Sequence, residues 1–253
     1  MKVVVIGGTG LIGSQVVAGL REQGHEAVPA SPNTGVNTLT GEGLADALAG
    51  ADVVVDVSNS PSFADADVLA FFTTSTGNLL AAEQAAGVGH HVALSIVGSE
   101  RAPESGYLRA KIAQEEVIKA SPVPWTIVRA TQFFEFIAAI ADSATQGDVV
   151  TLPTGAFQPI ASRDVAAAVT AAAVAPATNA TEEVAGPQRW AMDELVREVL
   201  AAKGDPRTVV GDPEARYFGT PLDETTIVPV DDTATLGETT LEAWSAAQAV
   251  AGR

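Results

Sequence analysis

The first thirteen residues, MKVVVIGGTGLIG, run a short apolar strand straight into glycines at positions 7, 10 and 13. Few arrangements use glycine at that spacing between a strand and a helix. Gly7 permits a tight turn, Gly10 lets the backbone come close to a bound pyrophosphate, and Gly13 lets the helix pack against the strand. Thr9, Leu11 and Ile12 supply the remaining backbone of the loop. The helix that begins there presents unpaired N–H groups and the positive end of its dipole, which suits a phosphate. The pattern therefore predicts a dinucleotide cradle made of Gly7, Thr9, Gly10, Leu11, Ile12 and Gly13.

The rest of the chain repeats the alternation of strand and helix. Strands are expected in KVVVIGG, which runs into a turn, in HEAVPA, in ADVVVDVSNS, which enters a loop, in HHVALSIVGS and in PWTIVRA. Helices are expected in GLIGSQVVAGLREQG, closed by Gly24, then in GEGLADALAG, in residues 65–86 and in YLRAKIAQEEVIKA, which ends before Pro122. Continuous Val and Ile runs suit strands buried on both faces, and the alternation predicts a parallel sheet with right-handed crossovers. The fold class expected is α/β, a Rossmann-like doubly wound parallel sheet with a small C-terminal substrate-binding part. Beyond residue 131 the pattern loosens. QFFEFIAAIADSATQG reads as helix, DVVTLP and FQPIA as short strands, SRDVAAAVTAAAVA as a helix capped by Ser162, TEEVAG as a strand and AMDELVREVLAAKG as an amphipathic helix. One domain over 1–253 is expected, with a nucleotide-binding core over about 1–131 and with 132–253 contributing the substrate pocket and a C-terminal cap.

Composition narrows the function. The formal net charge is −17, so a basic patch for nucleic acid or anionic lipid is not expected. No cysteine is present, which excludes thiol nucleophiles, disulfides and Cys-based metal sites. His90 and His91 are adjacent in a strand and should point to opposite faces, so no metal site is expected. The apolar run at the N-terminus is too short for a signal sequence or a membrane span, and a cytoplasmic protein is inferred.

An acid at the end of the second strand would hold the ribose 2′-hydroxyl of NAD. Here that place reads Ala30, Ser31, Pro32, Asn33. No acid stands there to repel a 2′-phosphate, and Ser31 and Asn33 would donate to its oxygens, so NADP(H) is favoured over NAD(H). Ser58, Asn59 and Ser60 follow the strand ADVVVDV at a carboxyl end. They either face the cofactor or close a simple turn.

Tyr107 and Lys111 lie four residues apart and share a helix face. A phenol ionises at about 10 in water, and a nearby ammonium favours the phenolate. Such a pair would deliver a proton to a carbonyl oxygen while a nicotinamide delivers hydride. The plain alternative is an exposed helix with a snorkelling lysine. Phe133, Phe134 and Phe136 either line a pocket for an apolar substrate or belong to the core, and Phe157, Gln158 and Pro159 would close that pocket. Arg129 is expected to pair with a carboxylate or with carbonyls.

Taken together, the glycine loop, TGNLLAAEQAAGV, HHVALSIVGS, YLRAKIAQEEVIKAS with WTIVRATQFFEF, FQPIASRDVAAAV and EVAGPQRWAMDELV resemble the short-chain dehydrogenase/reductase superfamily. More closely, they resemble its atypical NmrA-like, NAD(P)-binding branch, over about residues 1 to 203. The resemblance implies a reductase acting on a carbonyl, or an activated alkene, of a small organic molecule. Tyr107 would be the general acid, and Lys111 would bind the nicotinamide ribose and tune Tyr107. Ser95, or failing that Ser99, would hold the substrate oxygen, although Ser95 stands closer in sequence to Tyr107 than the superfamily's serine does. The resemblance equally admits a non-catalytic NADP-sensing regulator. An NAD-dependent epimerase on a sugar nucleotide is a third reading, disfavoured by the sparse positive charge. The helical stretches 65–86 and 105–121 would offer a face for a homodimer.

Overall fold

The computed structural model describes residues 1–251. Contacts divide the chain into two compact units. The first comprises Met1–Ile96, Gly106–Arg129 and Val165–Glu182, and the second comprises Val97–Ser105, Ala130–Asp164 and the chain from Glu183 onward. The segment from Val165 to Glu182, placed by sequence with the C-terminal part, belongs to the first unit.

The elements follow in chain order. They are β1 (Lys2–Ile6), α1 (Leu11–Glu22), β2 (Glu26–Ala30), α2 (Leu44–Leu48), β3 (Val53–Asp56), α3 (Asp65–Ala86), β4 (His90–Ile96), α4 (Gly106–Lys119) and β5 (Trp125–Ala130). Then come α5 (Ile137–Ser143), β6 (Thr145–Gln146), β7 (Val149–Leu152), β8 (Ala156–Phe157), α6 (Ser162–Val174), β9 (Ala180–Ala185), β10 (Trp190–Ala191) and α7 (Met192–Ala202). The last are β11 (Thr208–Gly211), β12 (Arg216–Tyr217), β13 (Thr220–Pro221), β14 (Thr235–Leu236) and α8 (Leu241–Ala251). Among the described residues the largest sheet has seven strands in the order β14-β9-β5-β4-β3-β1-β2. The pairings β1–β2, β1–β3, β3–β4 and β9–β14 are all parallel.

In the first unit the central strands are apolar and buried on both faces: Val3, Val4 and Val5 of β1 and Val54 and Val55 of β3 are fully buried. The helix α1 turns Ile12, Val16, Val17 and Leu20 inward at helical spacing and ends as Gly24 takes a positive φ of 81°. The order β2-β1-β3 means that the chain reverses direction across the sheet between β1 and β3. In such sheets the crevice at the carboxyl ends beside that reversal is where ligands bind.

The second unit is built round Phe134, Ile137, Leu152, Phe157, Met192, Leu195 and Val196, all buried. Three expectations need correcting here. The helix expected from Gln132 starts later, as a short 3-10 turn over Phe134–Phe136 followed by α5. FQPIA forms only the end of β8, paired with β10 at Trp190↔Phe157. Ser162 is the first residue of α6, and its hydroxyl donates to Glu135 Oε1 at 2.7 Å. Among the described residues no helix is long and apolar enough to cross a membrane.

Candidate active site

The cradle is set by strand register. Ile6 stands opposite Ala30 on one side and Asp56 on the other. The next residue of each strand therefore brings Gly7, Ser31 and Val57 side by side at the carboxyl edge. Gly7 takes φ +77°, and a Cβ there would sit 2.9 Å from the backbone of Val57 and 3.0 Å from Ser58 Cα. Only glycine fits both conditions. A Cβ on Gly13 would overlap the carbonyl oxygen of Gly7, so the third glycine seats the first turn of α1 directly on the loop. Gly10, by contrast, is exposed, and a Cβ there would meet nothing nearer than Gly7 O at 3.3 Å. Its open side faces outward, as a position left bare for a ligand should.

The first turn of α1 carries no acidic side chain, so the amide groups there are not already neutralised. Ser31 is buried, and its Oγ has no hydrogen-bond partner. A buried hydroxyl without a partner costs about 1–3 kcal/mol, and a ligand oxygen beside Gly7 would relieve it. Thr34 Oγ1 meanwhile takes the Ser31 N–H at 2.8 Å, which holds the turn over Pro32–Thr34 in place, with Asn33 exposed at its tip. The glycine geometry, the helix N-terminus and the orphaned hydroxyl all fit a dinucleotide.

Beyond the cradle, β3 ends in Asp56, which is 2% exposed. Ser58 donates both its N–H, at 3.0 Å, and its hydroxyl, at 2.6 Å, to Asp56 Oδ1. Ser58 is thus turned inward to an acid rather than free. Asn59 Oδ1 accepts the Tyr107 hydroxyl at 2.9 Å and the Ser60 N–H at 2.9 Å. The loop after β3 and the first turn of α4 are joined there. Tyr107 packs edge-on against Phe72 of α3 with ring centroids 6.0 Å apart, and tilted against Phe63 at 5.7 Å.

Tyr107 and Lys111 share the buried side of α4, but their polar ends go to different partners. Lys111 is 4% exposed. Its Nζ donates to Leu94 O at 2.9 Å and to Gln114 Oε1, and lies 4.3 Å from the centroid of the Phe72 ring. Gln114 in turn donates to Asp56 Oδ2 at 3.1 Å. Burial lowers the Lys111 ammonium to about 8, against the pull of Asp56 and Glu115. Burial raises the Tyr107 phenol to about 12, offset in part by Asn59. The expected lowering of the phenol by the lysine is therefore not the state of this structure: desolvation wins, and the ammonium is held elsewhere.

Ser95 also needs correcting. It is buried in β4, and its hydroxyl donates to Glu115 Oε1 at 2.7 Å. Glu115 is gripped from the other side by Arg129, with Nε to Oε1 and Nη2 to Oε2 both at 2.8 Å. Ser95 thus belongs to a buried ion-pair cluster rather than presenting a free hydroxyl to a substrate. Ser99, the second candidate, is buried in a 3-10 turn of the second unit. Arg129 pairs with a carboxylate as expected. The two histidines do point apart, His90 Nε2 to Thr126 Oγ1 at 2.9 Å and His91 Nδ1 to Glu83 Oε1 at 2.8 Å.

In the second unit the expected pocket phenylalanines separate. Phe134 and Phe157 are fully packed core residues, Phe134 stacked on Trp244 with centroids 5.4 Å apart. They cannot line a pocket. Phe133 is half-buried and stacks on the exposed Phe136 at 5.4 Å, so this pair remains available to a ligand. Gln158 donates to Gly186 O at 2.8 Å. The sequence reading missed Asp56, Gln114 and Glu115. The signal was present: an acid inside the apolar run VVVDV, and polar residues three and four places after Lys111 on the same helix face.

A family model described as NAD(P)H-binding matches residues 7–176. The chain is similar to the photosystem II assembly factor Ycf39 of Synechocystis sp., 26% identical over 215 residues that cover 78% of this chain and 66% of that protein. It thus spans just under two thirds of that relative's length. It is also similar to (4-alkanoyl-5-oxo-2,5-dihydrofuran-3-yl)methyl phosphate reductase of Streptomyces griseus, 29% identical over 227 residues covering 81% of this chain and 74% of that protein. Among solved structures, a short-chain dehydrogenase/reductase superfamily protein from Agrobacterium tumefaciens with bound NAD superposes with a TM-score of 0.73. The identity is 21%, and the match covers 100% of this chain and 97% of that one. At that identity the likeness is one of fold.

Proposed function

The chain belongs to the NAD(P)H-binding family, and on that premise we propose that it is an NAD(P)-dependent reductase transferring hydride to a carbonyl, or an activated alkene, of a small organic substrate. The observation that carries this reading is the join of Tyr107 to Asn59, at 2.9 Å, on the loop that leaves β3 beside the glycine cradle. A proton donor and a dinucleotide loop meet at one carboxyl edge. The bound nicotinamide supplies the hydride. The unpaired N–H groups at the start of α1, from Leu11 to Gly13, would hold the pyrophosphate, with Gly7 shaping the turn and Gly10 leaving the ligand room. Ser31 and Asn33 take the adenosine ribose, and the absence of an acid at that strand end supports NADP(H) over NAD(H). Tyr107 would give its phenolic proton to the substrate oxygen, and Lys111, one turn further along α4, would bind the nicotinamide ribose. One relative is a reductase, which supports the same class of chemistry.

Titration with NADPH and NADH, followed by turnover of wild type and Tyr107→Phe on a panel of aldehydes, ketones and enones, tests this reading. The variant should bind NADPH within about threefold of wild type and lose turnover, because a phenyl ring fills the same space without a proton. Full activity in the variant would remove Tyr107 from the mechanism. Tighter NADH binding would reverse the cofactor preference.

A second reading, a nucleotide-responsive regulator, has its own support. The Lys111 ammonium is held by Leu94 and Gln114, the phenol is pushed up to about 12, and one relative is an assembly factor. Cofactor binding without turnover on any acceptor, together with cofactor-dependent capture of a protein partner, would favour it.

A further inference from the structure

Lys111 reaches the cofactor edge through other residues. Its ammonium is satisfied on three sides, by Leu94 O, by Gln114 Oε1 and by the face of Phe72 at 4.3 Å. Gln114 is 2% exposed, and its orientation is fixed by chemistry. With Oε1 on the ammonium and Nε2 on Asp56 Oδ2 at 3.1 Å, each end meets its complement. Reversed, the amide would set donor against donor and acceptor against acceptor. Asp56, 2% exposed, then passes the link on, since Oδ1 accepts the Ser58 N–H and hydroxyl. The Ser58 backbone is what Gly7 abuts, so closely that a Cβ on Gly7 would lie 3.0 Å from Ser58 Cα.

We propose that Asp56 and Gln114 are positioning residues for Lys111, forming a buried relay, Lys111–Gln114–Asp56–Ser58, that ties the ammonium to the backbone beside the glycine cradle so that cofactor binding and the state of Lys111 are coupled. The inference rests on the cofactor reading above and adds two residues to it. A buried ammonium at this depth needs anionic support to stay charged. Two carboxylates supply it: Asp56 from β3 through Gln114, and Glu115 from α4. Glu115 is shared with Arg129 of β5, with Ser95 of β4 and with Lys119 at 3.3 Å. Asp56 instead accepts from Gln114 and from Ser58. The pair Glu83–His91, from α3 and β4, also lies within electrostatic reach of Asp56.

Only four lysines occur in the chain, at 2, 111, 119 and 203, so the side-chain nitrogen of each can be followed by NMR in protein carrying labelled lysine. The Lys111 signal, assigned by its loss in Lys111→Arg, is titrated in wild type, Asp56→Asn, Gln114→Leu and Gln114→Glu, without and with NADP⁺. Wild type should titrate near pH 8. Asp56→Asn and Gln114→Leu should move the midpoint down by about one pH unit, and Gln114→Glu should move it up by a similar amount. A merely structural role would not yield shifts of opposite sign from two substitutions at one position. Saturating NADP⁺ should shift the wild-type Lys111 signal and leave it at least about threefold less displaced in Asp56→Asn.

Unchanged midpoints in all three variants, each shown folded by circular dichroism, would overturn the relay even if NADP⁺ binds normally. An NADP⁺ response as large in Asp56→Asn as in wild type would overturn the coupling. Failure of wild type to bind NADP⁺ would overturn both the coupling and the cofactor reading, while the midpoints, read without cofactor, would still decide whether Asp56 and Gln114 hold the lysine.

Discussion

Tyr107 donates a hydrogen bond from its hydroxyl to Asn59 Oδ1 at 2.9 Å, although Lys111 follows it by one helical turn on the same helix. The phenol is desolvated between Phe63, Phe72 and the loop after β3, and burial raises its ionisation to about 12. A raised acid binds its proton more tightly when folded than when unfolded, where it ionises near 10.0. Stability should therefore fall as pH climbs from 10 towards 12. In Tyr217→Phe, which leaves one tyrosine, the near-ultraviolet absorbance should show that tyrosine ionising near 12. A midpoint at the value of free tyrosine would mean that the phenol is not buried as described.

The three glycines of the loop should answer differently to alanine. In Gly13→Ala the new methyl overlaps Gly7 O, and in Gly7→Ala it strains a φ of +77° against the Val57 backbone. Both should lose several degrees of melting temperature along with cofactor binding. Gly10→Ala has room, with Gly7 O at 3.3 Å and a φ of −83°, so its fold should survive at a cost of about 1 kcal/mol for a poorer helix cap. Its NADPH affinity should nevertheless fall at least tenfold, because the methyl occupies the space a pyrophosphate needs. Unchanged affinity in a folded Gly10→Ala protein would take the pyrophosphate away from this loop.

The glycine loop, the strands β1 to β5 and the helices between them are legible in the sequence because their signals are local: apolar runs buried on both faces, glycine stops and helical spacing. The return of Val165–Glu182 to the first unit is not, because it depends on contacts between segments far apart in sequence. The same limit explains the site. Ser95 stands in a strand whose neighbours give no hint that Glu115, twenty residues on, will take its hydroxyl. Phe133 and Phe134 are equivalent as letters, and only the onset of a 3-10 turn at Phe134 sends one inward and leaves the other half-exposed. Asp56 could have been suspected, since a charge inside VVVDV must find partners if the strand is buried.

That division of the phenylalanines is measurable. Phe134→Ala removes a fully buried ring stacked on Trp244 and should cost about 3–5 kcal/mol in urea unfolding. Phe133→Ala removes a half-buried ring from the Phe136 stack and should cost about 1 kcal/mol. If Phe133 contacts substrate, its variant should raise KM with little change in melting temperature. Equal stability losses at the two positions would mean that Phe133 is core as well.

The Glu115–Arg129 pair sets the last expectation. Glu115 is 1% exposed on its side chain and Arg129 12%. Burial alone would raise the carboxyl, but the bonds from Arg129 and Ser95 outweigh it and hold Glu115 below its usual value of 4.5. A depressed acid stabilises the fold above its unfolded ionisation and loses that contribution as pH falls through the folded value. Arg129→Met leaves a buried carboxylate uncompensated, and at neutral pH should cost about 3–5 kcal/mol. Without Arg129 burial pushes the carboxyl above its usual value, so in the variant it takes up a proton as pH falls from neutral, the penalty of burying a charge fades, and the stability gap between variant and wild type should narrow. The double variant Glu115→Leu/Arg129→Met removes both charges and should recover most of the loss at neutral pH. A gap independent of pH would show that Arg129 contributes through packing of its stem rather than through its charge.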